Sequence, residues 1–425
     1  LRHRFQFKRE ELEIVNGIRS YALVTGAYWG FTLTDGALRM LVVLHFYKLG
    51  YSGIAIAFLF LFYEFFGIVT NLLGGWIASR SGLKTTLYSG LALQIVALLM
   101  LALLQPSWAR TLSVAYVMVA QALSGIAKDL TKMSAKSAIK VVVPDDTEGT
   151  LFKWVSRLTG SKNALKGAGF FLGGVLLSTL GFVGALVAMA VGLVAVLFGT
   201  VFALPAEIGR SKKKVKFTAL FSKSPAINWL SAARLFLFGA RDVWFVVGLP
   251  VFLSQLGWSF AGVGGFIALW FVGYGIIQAF VPDILRSIGR EKVDEPAAEH
   301  WAFILLVVPL GLIAALRAGF NPSVSLMIGL AAFAIVFAIN SAVHSYLVLA
   351  YTDEDSVALN VGFYYMANAG GRLLGTLLSG LIFQWAAFRG CLWGSAAMIL
   401  LAALISLKLP RGKAVALHGA VEAAE

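Results

Sequence analysis

Twelve long apolar segments dominate the chain, at roughly 21–47, 53–79, 85–105, 111–132, 158–180, 183–204, 227–255, 260–282, 301–317, 323–350, 357–385 and 389–408. About 20 such residues suffice for an α-helix to cross a bilayer's hydrocarbon core. No water reaches peptide groups there, so each segment must close its hydrogen bonds within itself, as a helix does. The expected fold is an all-α polytopic membrane protein with twelve transmembrane helices. Composition agrees: 59% of the 425 residues are hydrophobic and only 13% charged, against about 25% charged in soluble domains.

The remaining composition excludes several function classes. Cys391 is the single cysteine, so no intrachain disulfide and no CxxC metal or redox site is expected. P-loop, GxSxG, HExxH and metal-ligand patterns are absent from the sequence. The chain therefore reads as a non-enzyme without cofactor or metal. A net charge of +14 would suit nucleic acid in a soluble protein. In a membrane chain it reflects the bias of Lys and Arg toward cytoplasmic loops, so no nucleic acid is expected.

Topology follows from where those charges fall. The opening stretch "LRHRFQFKREELEIVNGIRS" lacks an apolar core and reads as a cytosolic lead-in rather than a signal peptide. With that end inside, the outer loops hold only Lys48, Arg110, Arg317 and Arg389 of the 35 Lys and Arg. Both termini are then cytoplasmic. The longest polar connection, 205–225, separates six spans from six; its "SKKKVK" (211–216) reads as an orientation and headgroup signal. The expected organisation is a lead-in at 1–20, a six-helix half at 21–204, a linker at 205–225, a second half at 226–409 and a tail at 410–425.

The halves repeat. "LGYS" (49–52) and "LGWS" (256–259) lie 207 residues apart, as do Asp35 and Asp242, and Gly82 and Gly289. At an offset of 206, Gly169, Gly174 and Gly184 meet Gly375, Gly380 and Gly390, and Lys166 meets Arg372. Both copies start inside, so they are parallel repeats, as in the two halves of major-facilitator carriers. The inner loop "GGWIASRSGLK" (74–84) resembles that superfamily's conformational loop through Gly75, Arg80, Gly82 and Lys84. Ser79 stands where the pattern has Asp.

Charged residues inside spans are rare and usually functional. Lys128, Lys132, Lys136 and Lys140 recur every four residues at the inner end of span four. The first two read as site residues; Lys136 and Lys140 read as a solvated extension. Lys162, Asn163 and Lys166 cluster in span five, Arg241 is deep in span seven, and Arg372 is deep in span eleven. Arg39 and Arg234 are further basic residues in spans. The intramembrane acids are fewer: Asp35, Glu64, Asp129, Asp242 and, marginally, Asp283. Asp35 and Arg39, four apart on one face, can pair. Arg241 and Asp242 point about 100° apart and cannot share a partner directly, and Glu64 has no basic residue within a turn. A cationic surplus in a dry site calls for a mobile anion. Lys128, Lys132, Lys162, Asn163, Lys166, Arg241 and Arg372 are accordingly the candidate substrate-binding residues. Lys128, Lys166, Arg241 and Arg372 are expected to approach one central cavity, with Lys132 and Lys162 at its inner rim. Asp35, Glu64 and Asp242 are the candidate proton-coupling residues. The aromatics Tyr21, Tyr28, Trp29, Phe31, Trp270, Phe271 and Tyr274 read as packing, His45 and His344 as structural, and "DEDS" (353–356) as solvated.

Five runs carry a closer likeness: "TLTDGALRMLVVLHF", "FLFYEFFGIVTNLLGGW", "AQALSGIAKDLTKMSAKS", "TGSKNALKGAGFFLGG" and "SAARLFLFGARDVWFVV". They resemble the organoarsenical efflux permeases of the major facilitator superfamily. The resemblance implies export of 1-arseno-3-phosphoglycerate across the bacterial inner membrane, arsenate resistance, and a functional link to glyceraldehyde-3-phosphate dehydrogenase. It assigns no binding residues. Membrane lipid and a small anion are the expected partners of a monomer. A carrier for another organophosphate, phosphate or an anionic drug fits the charges equally well.

Overall fold

The computed structural model describes residues 2–51, 56, 58–142, 150–204, 224–258, 260–289, 295–352 and 356–411. The "SKKKVK" run, Asp353–Asp355 and the tail beyond Arg411 lie outside the described residues. Helices α1 (Arg2–Lys48), α2 (Leu61–Ser81), α3 (Leu83–Ala102), α4 (Arg110–Val142) and α5 (Thr150–Ala203) are followed by α6 (Pro225–Phe245) and α7 (Gly248–Gln255). Then come α8 (Phe260–Ser287), α9 (Glu295–Arg317), α10 (Pro322–Ala350) and α11 (Val357–Ser406). No strand occurs among the described residues. The lead-in is not a separate element, because α1 runs through it into the first span.

The apolar segments of the sequence map onto these helices. Segment 21–47 lies in α1, α6 and α7 together carry segment 227–255, and α5 and α11 each carry two segments. Within α5 and α11, one residue breaks the helical geometry: Gly181 at φ 69°, ψ −177°, and Ala387 at φ 50°, ψ −161°. They are 206 residues apart, the spacing of the repeat. Three residues later, a Cβ on Gly184 would stand 3.1 Å from that of Leu180, and one on Gly390 would meet that of Ala386. Both bends are therefore sharp. The repeat's other turns match too: Gly50 and Gly257 have φ of 78° and 86°, Gly82 and Gly289 of 84° and 75°.

Positive φ with ψ near 180° is a region essentially reserved for glycine. Gly181 enters it freely; Ala387 is strained by its Cβ. Ala387→Gly is expected to raise stability by about 1 kcal/mol, the strain relieved less the added unfolded-state entropy. Gly181→Ala should lower it by a similar amount. Melting curves of the purified variants check the pair, which should shift in opposite directions.

Two compact units form. The first comprises Leu1–Leu151, Ala168–Leu220 and Asp353–Gly362; the second comprises Phe152–Gly167, Phe221–Thr352 and Phe363–Glu425. In the first, α1, α2 and α3 pack against α4. Polar and small groups join α3 to α4, as suits helices that meet in lipid. Ser124 Oγ donates to Gln94 Oε1 (2.7 Å), and Thr86 and Ser134 share a hydroxyl contact of 2.6 Å. In the second, α10 packs against α6, α8 and α9. It starts at Asn321, whose side chain caps the amide of Val324, followed by Pro322.

Equivalent glycines hold equivalent helix pairs. A Cβ on Gly169 would lie 2.5 Å from the carbonyl oxygen of Leu33, and one on Gly375 2.6 Å from that of Gly239. Leu33 and Gly239 are themselves 206 apart. Backbone contact between α1 and α5 in the first unit is thus repeated between α6 and α11 in the second.

Candidate functional site

In the first unit the charges gather around Tyr63. Its hydroxyl donates to Asp35 Oδ1 (2.7 Å), and Lys128 Nζ lies 3.9 Å from its ring centroid. The Arg39 guanidinium stands 5.1 Å from the same ring and reaches Glu64 Oε1 at 2.9 Å. Arg39 therefore does not form the expected pair with Asp35. Helical spacing placed both on one face of α1, but Glu64 on α2 captures the longer side chain while Tyr63 occupies Asp35. Glu64 gains from another helix the partner that its own helix lacks.

Asp129 is the other anchor of this unit. It is buried and bonds Lys132 Nζ at 2.6 Å, with Lys128 Nζ at 3.7 Å. Gly67 makes room for it: a Cβ there would sit 2.9 Å from Asp129 Oδ2. Lys136, expected to be solvated, is buried at 4% exposure. The helix α4 continues past the apolar segment and stays packed, so the stripe does not emerge where hydropathy falls. Lys140 lies on α4, its side chain outside the described residues.

The second unit holds a different arrangement. Arg241 Nε donates to Asp242 Oδ1 at 2.6 Å, and Arg372 Nε reaches Asp242 Oδ2 at 3.3 Å. The neighbours Arg241 and Asp242 were expected to diverge; the long arginine folds back and bonds the adjacent carboxylate. One buried acid thus serves two arginines, and the triad is net positive. Just beyond it, span seven breaks between α6 and α7. Ser379 Oγ on α11 accepts from the amides of Val247 (3.3 Å) and Gly248 (3.2 Å). A broken membrane helix needs such replacement partners.

Lys162 and Asn163 belong to the same unit. Gly160 on α5 and Gly275 on α8 bring the two backbones together, a Cβ on Gly160 falling 2.5 Å from the carbonyl oxygen of Gly275. That approach lets Asn163 Nδ2 donate to Gln278 Oε1 (2.6 Å) while Lys162 Nζ donates to Asn163 Oδ1 (3.1 Å). Lys166, one turn on, is half-buried, and Asp283 is exposed near the end of α8. Trp270 stacks on Tyr274 (5.3 Å between centroids) and donates to the carbonyl of Leu330, the packing role expected of it.

The conformational loop is built as follows. A Cβ on Gly75 would strike the carbonyl of Ala358, with Gly362 Cα 3.2 Å away. Gly82 turns the chain between α2 and α3, and Arg80 is exposed over the Trp76 ring (5.0 Å). Lys84 Nζ donates to the carbonyl of Leu204 at 2.8 Å, just past the end of α5. A cation there complements the helix's partial negative charge.

The structure thus gathers Lys128 and Lys132 in the first unit, and Lys162, Asn163, Lys166, Arg241 and Arg372 in the second. Sequence reasoning omitted Arg234 from the site, although it lies two turns before Arg241 on the same face of α6. It is 2% exposed.

Residues 23–293 match the Major Facilitator Superfamily. The chain belongs to that superfamily. It is accordingly a multi-pass membrane transporter with the superfamily's all-helical fold. Similar solved structures include a bacterial homologue of the iron transporter ferroportin in an outward-facing state with soaked iron (TM-score 0.71, 16% identity, 92% of this chain and 98% of that one). The human organic anion transporter MFSD10 gives a TM-score of 0.68 at 15% identity, covering 92% and 99%. The proton:xylose symporter XylE bound to 6-bromo-6-deoxy-D-glucose gives 0.70 at 14%, covering 95% and 97%. At such identities the likeness is one of fold. Comparison with curated proteins returned no match.

Proposed function

We propose that this transporter exports an organic polyanion by alternating access, and that the anion is 1-arseno-3-phosphoglycerate. The observation that carries the reading is the shared carboxylate: two guanidiniums, Arg241 and Arg372, converge on the buried Asp242. Arginine binds phosphate-like groups bidentately and lysine binds them as a point charge. In the first unit Arg39 meets Glu64, and Lys128 and Lys132 likewise share one acid, Asp129. The relatives of similar fold are named for iron, organic anions and xylose, so fold alone does not choose a substrate. The charges favour an anion, and the five sequence runs favour the arsenic ester. The proposed setting is a monomer in the bacterial inner membrane with both termini cytoplasmic, supplied by glyceraldehyde-3-phosphate dehydrogenase.

Outward movement of an anion is helped by an inside-negative potential, about 2.3 kcal/mol per charge per 100 mV. Proton antiport would add to this. Asp35 is the favoured carrier because it bonds a neutral hydroxyl, whereas Glu64 and Asp242 are held by guanidinium groups.

Everted vesicles containing the protein should accumulate arsenic only when arsenate is supplied with glyceraldehyde 3-phosphate, NAD and the dehydrogenase. Arsenate alone should match empty vesicles. Equal uptake with and without the dehydrogenase would indicate a plain arsenate carrier. No uptake in either case, from folded protein, would favour a different organophosphate. In the same assay Asp35→Asn should flatten the pH dependence; an unchanged profile removes the proton role.

A further inference from the structure

Arg234 is the most deeply buried cation among the described residues of the second unit. Its Nε donates to Asn368 Oδ1 (2.9 Å) and its Nη1 to the carbonyl of Ser341 (3.3 Å). Its guanidinium lies 3.9 Å from the Phe238 ring centroid and 5.0 Å from that of Tyr364. Among the described residues no carboxylate pairs with it, whereas Arg241 and Arg372 have Asp242. Two neutral acceptors and two ring faces do not neutralise a buried cation, and a charge in that position normally has a counter-ion.

The groups around it are polar and buried. Ser341, His344 and Ser345 share one face of α10, and Tyr364 and Asn368 lie one turn apart on α11. All five are buried. Ser341 Oγ, Ser345 Oγ, Tyr364 Oη and His344 Nδ1 make no well-formed hydrogen bond. Tyr364 stands beside Ser345, and Tyr274 stands beside Ser341 and Gln278. Gln278 Nε2 is likewise unsatisfied, while its oxygen takes the Asn163 amide. A cation without a carboxylate among the described residues, ringed by buried hydroxyls and amides that can turn a donor toward it, has the makings of a receptor for an oxyanion.

Arg241 completes the geometry. It lies two helical turns from Arg234, about 10 Å of rise along α6. Both guanidiniums flank one ring: the Phe238 centroid is 3.9 Å from Arg234 and 5.0 Å from Arg241. We infer that Arg234, with the hydroxyls of Ser345 and Tyr364, binds one charged end of an organic dianion whose other end is held by Arg241 and Arg372. The inference rests on the polyanion reading and sharpens it: the substrate has two anionic groups separated by a short carbon body that lies along Phe238.

The test uses the full chain purified in nanodiscs, with 3-phosphoglycerate as a two-ended probe and inorganic phosphate as a one-ended one, read by ligand-induced shifts in melting temperature. Wild type should respond to 3-phosphoglycerate at a concentration about tenfold or more below that needed for phosphate. Arg234→Met keeps the packing against Phe238 and removes the charge; it should abolish that preference by weakening 3-phosphoglycerate about tenfold or more, the scale of a lost charge-assisted contact. Ser345→Ala and Tyr364→Phe should each weaken it severalfold. A folded Arg234→Met variant with wild-type affinity for 3-phosphoglycerate overturns the inference. Should that variant fail to fold, the two hydroxyl deletions decide, and unchanged affinity in both overturns it. A wild type that responds to neither probe overturns the polyanion reading itself.

Discussion

Arg372→Ala is expected to give a carrier that reaches the membrane folded yet transports roughly 30- to 100-fold more slowly, the loss of about 2–3 kcal/mol of charge-assisted binding. Asp242→Ala should behave differently. Removing Arg372 leaves Arg241 and Asp242 as a neutral pair at 2.6 Å. Removing Asp242 leaves two guanidiniums facing each other without their shared acid, and stranding a buried charge costs about 3–5 kcal/mol. That variant should therefore be deficient in stability before transport is asked of it. Arg372 is also the more solvated partner, 21% exposed against 2% for the acid, so its loss disturbs the fold less. Initial rates in vesicles, normalised to extracted folded protein, separate the outcomes. Wild-type rates from Arg372→Ala, or full stability of Asp242→Ala, would refute this account of the triad.

Gly375→Leu should destabilise the second unit by about 3 kcal/mol or more, the upper end for overpacked cores. A Cβ there meets the carbonyl of Gly239 at 2.6 Å and Asp242 Cβ at 3.0 Å. The first obstacle is helix backbone, which cannot rotate aside, and the second is the triad's own acid. Gly380, five residues on in the same helix, has nothing within 4 Å of its Cβ position, so Gly380→Leu is the matched control. Yields of monodisperse protein and melting temperatures should fall for the first variant and hold for the second. Equal behaviour would mean that α6 and α11 do not meet as described.

Much of the fold was legible because hydrophobicity and spacing are local quantities. The apolar segments predicted spans, and a nearly constant offset predicted the repeated glycines that turn out to share turns and helix contacts. Charge pairing was not legible, for a physical reason. Spacing tells which side chains share a face of one helix, and nothing about the helix opposite. Asp35 and Arg39 had the right spacing, but their partners came from α2. Arg241 and Asp242 had the wrong spacing, but a long side chain closed the gap. Lys136 was misplaced because hydropathy marks the apolar boundary, not the end of packing. Arg234 carried a signal that could have been used, its two-turn spacing from Arg241. Only tertiary structure shows that no acid comes to meet it among the described residues.

The bends at Gly181 and Ala387 have an evolutionary reading. A chain made by doubling one ancestral segment inherits every corner twice, and each copy is then free to drift. Here both copies hold the corner, and only one has the residue that makes it easy. Ala387 holds a conformation suited to its counterpart. The two copies thus share a shape at that point without sharing a residue.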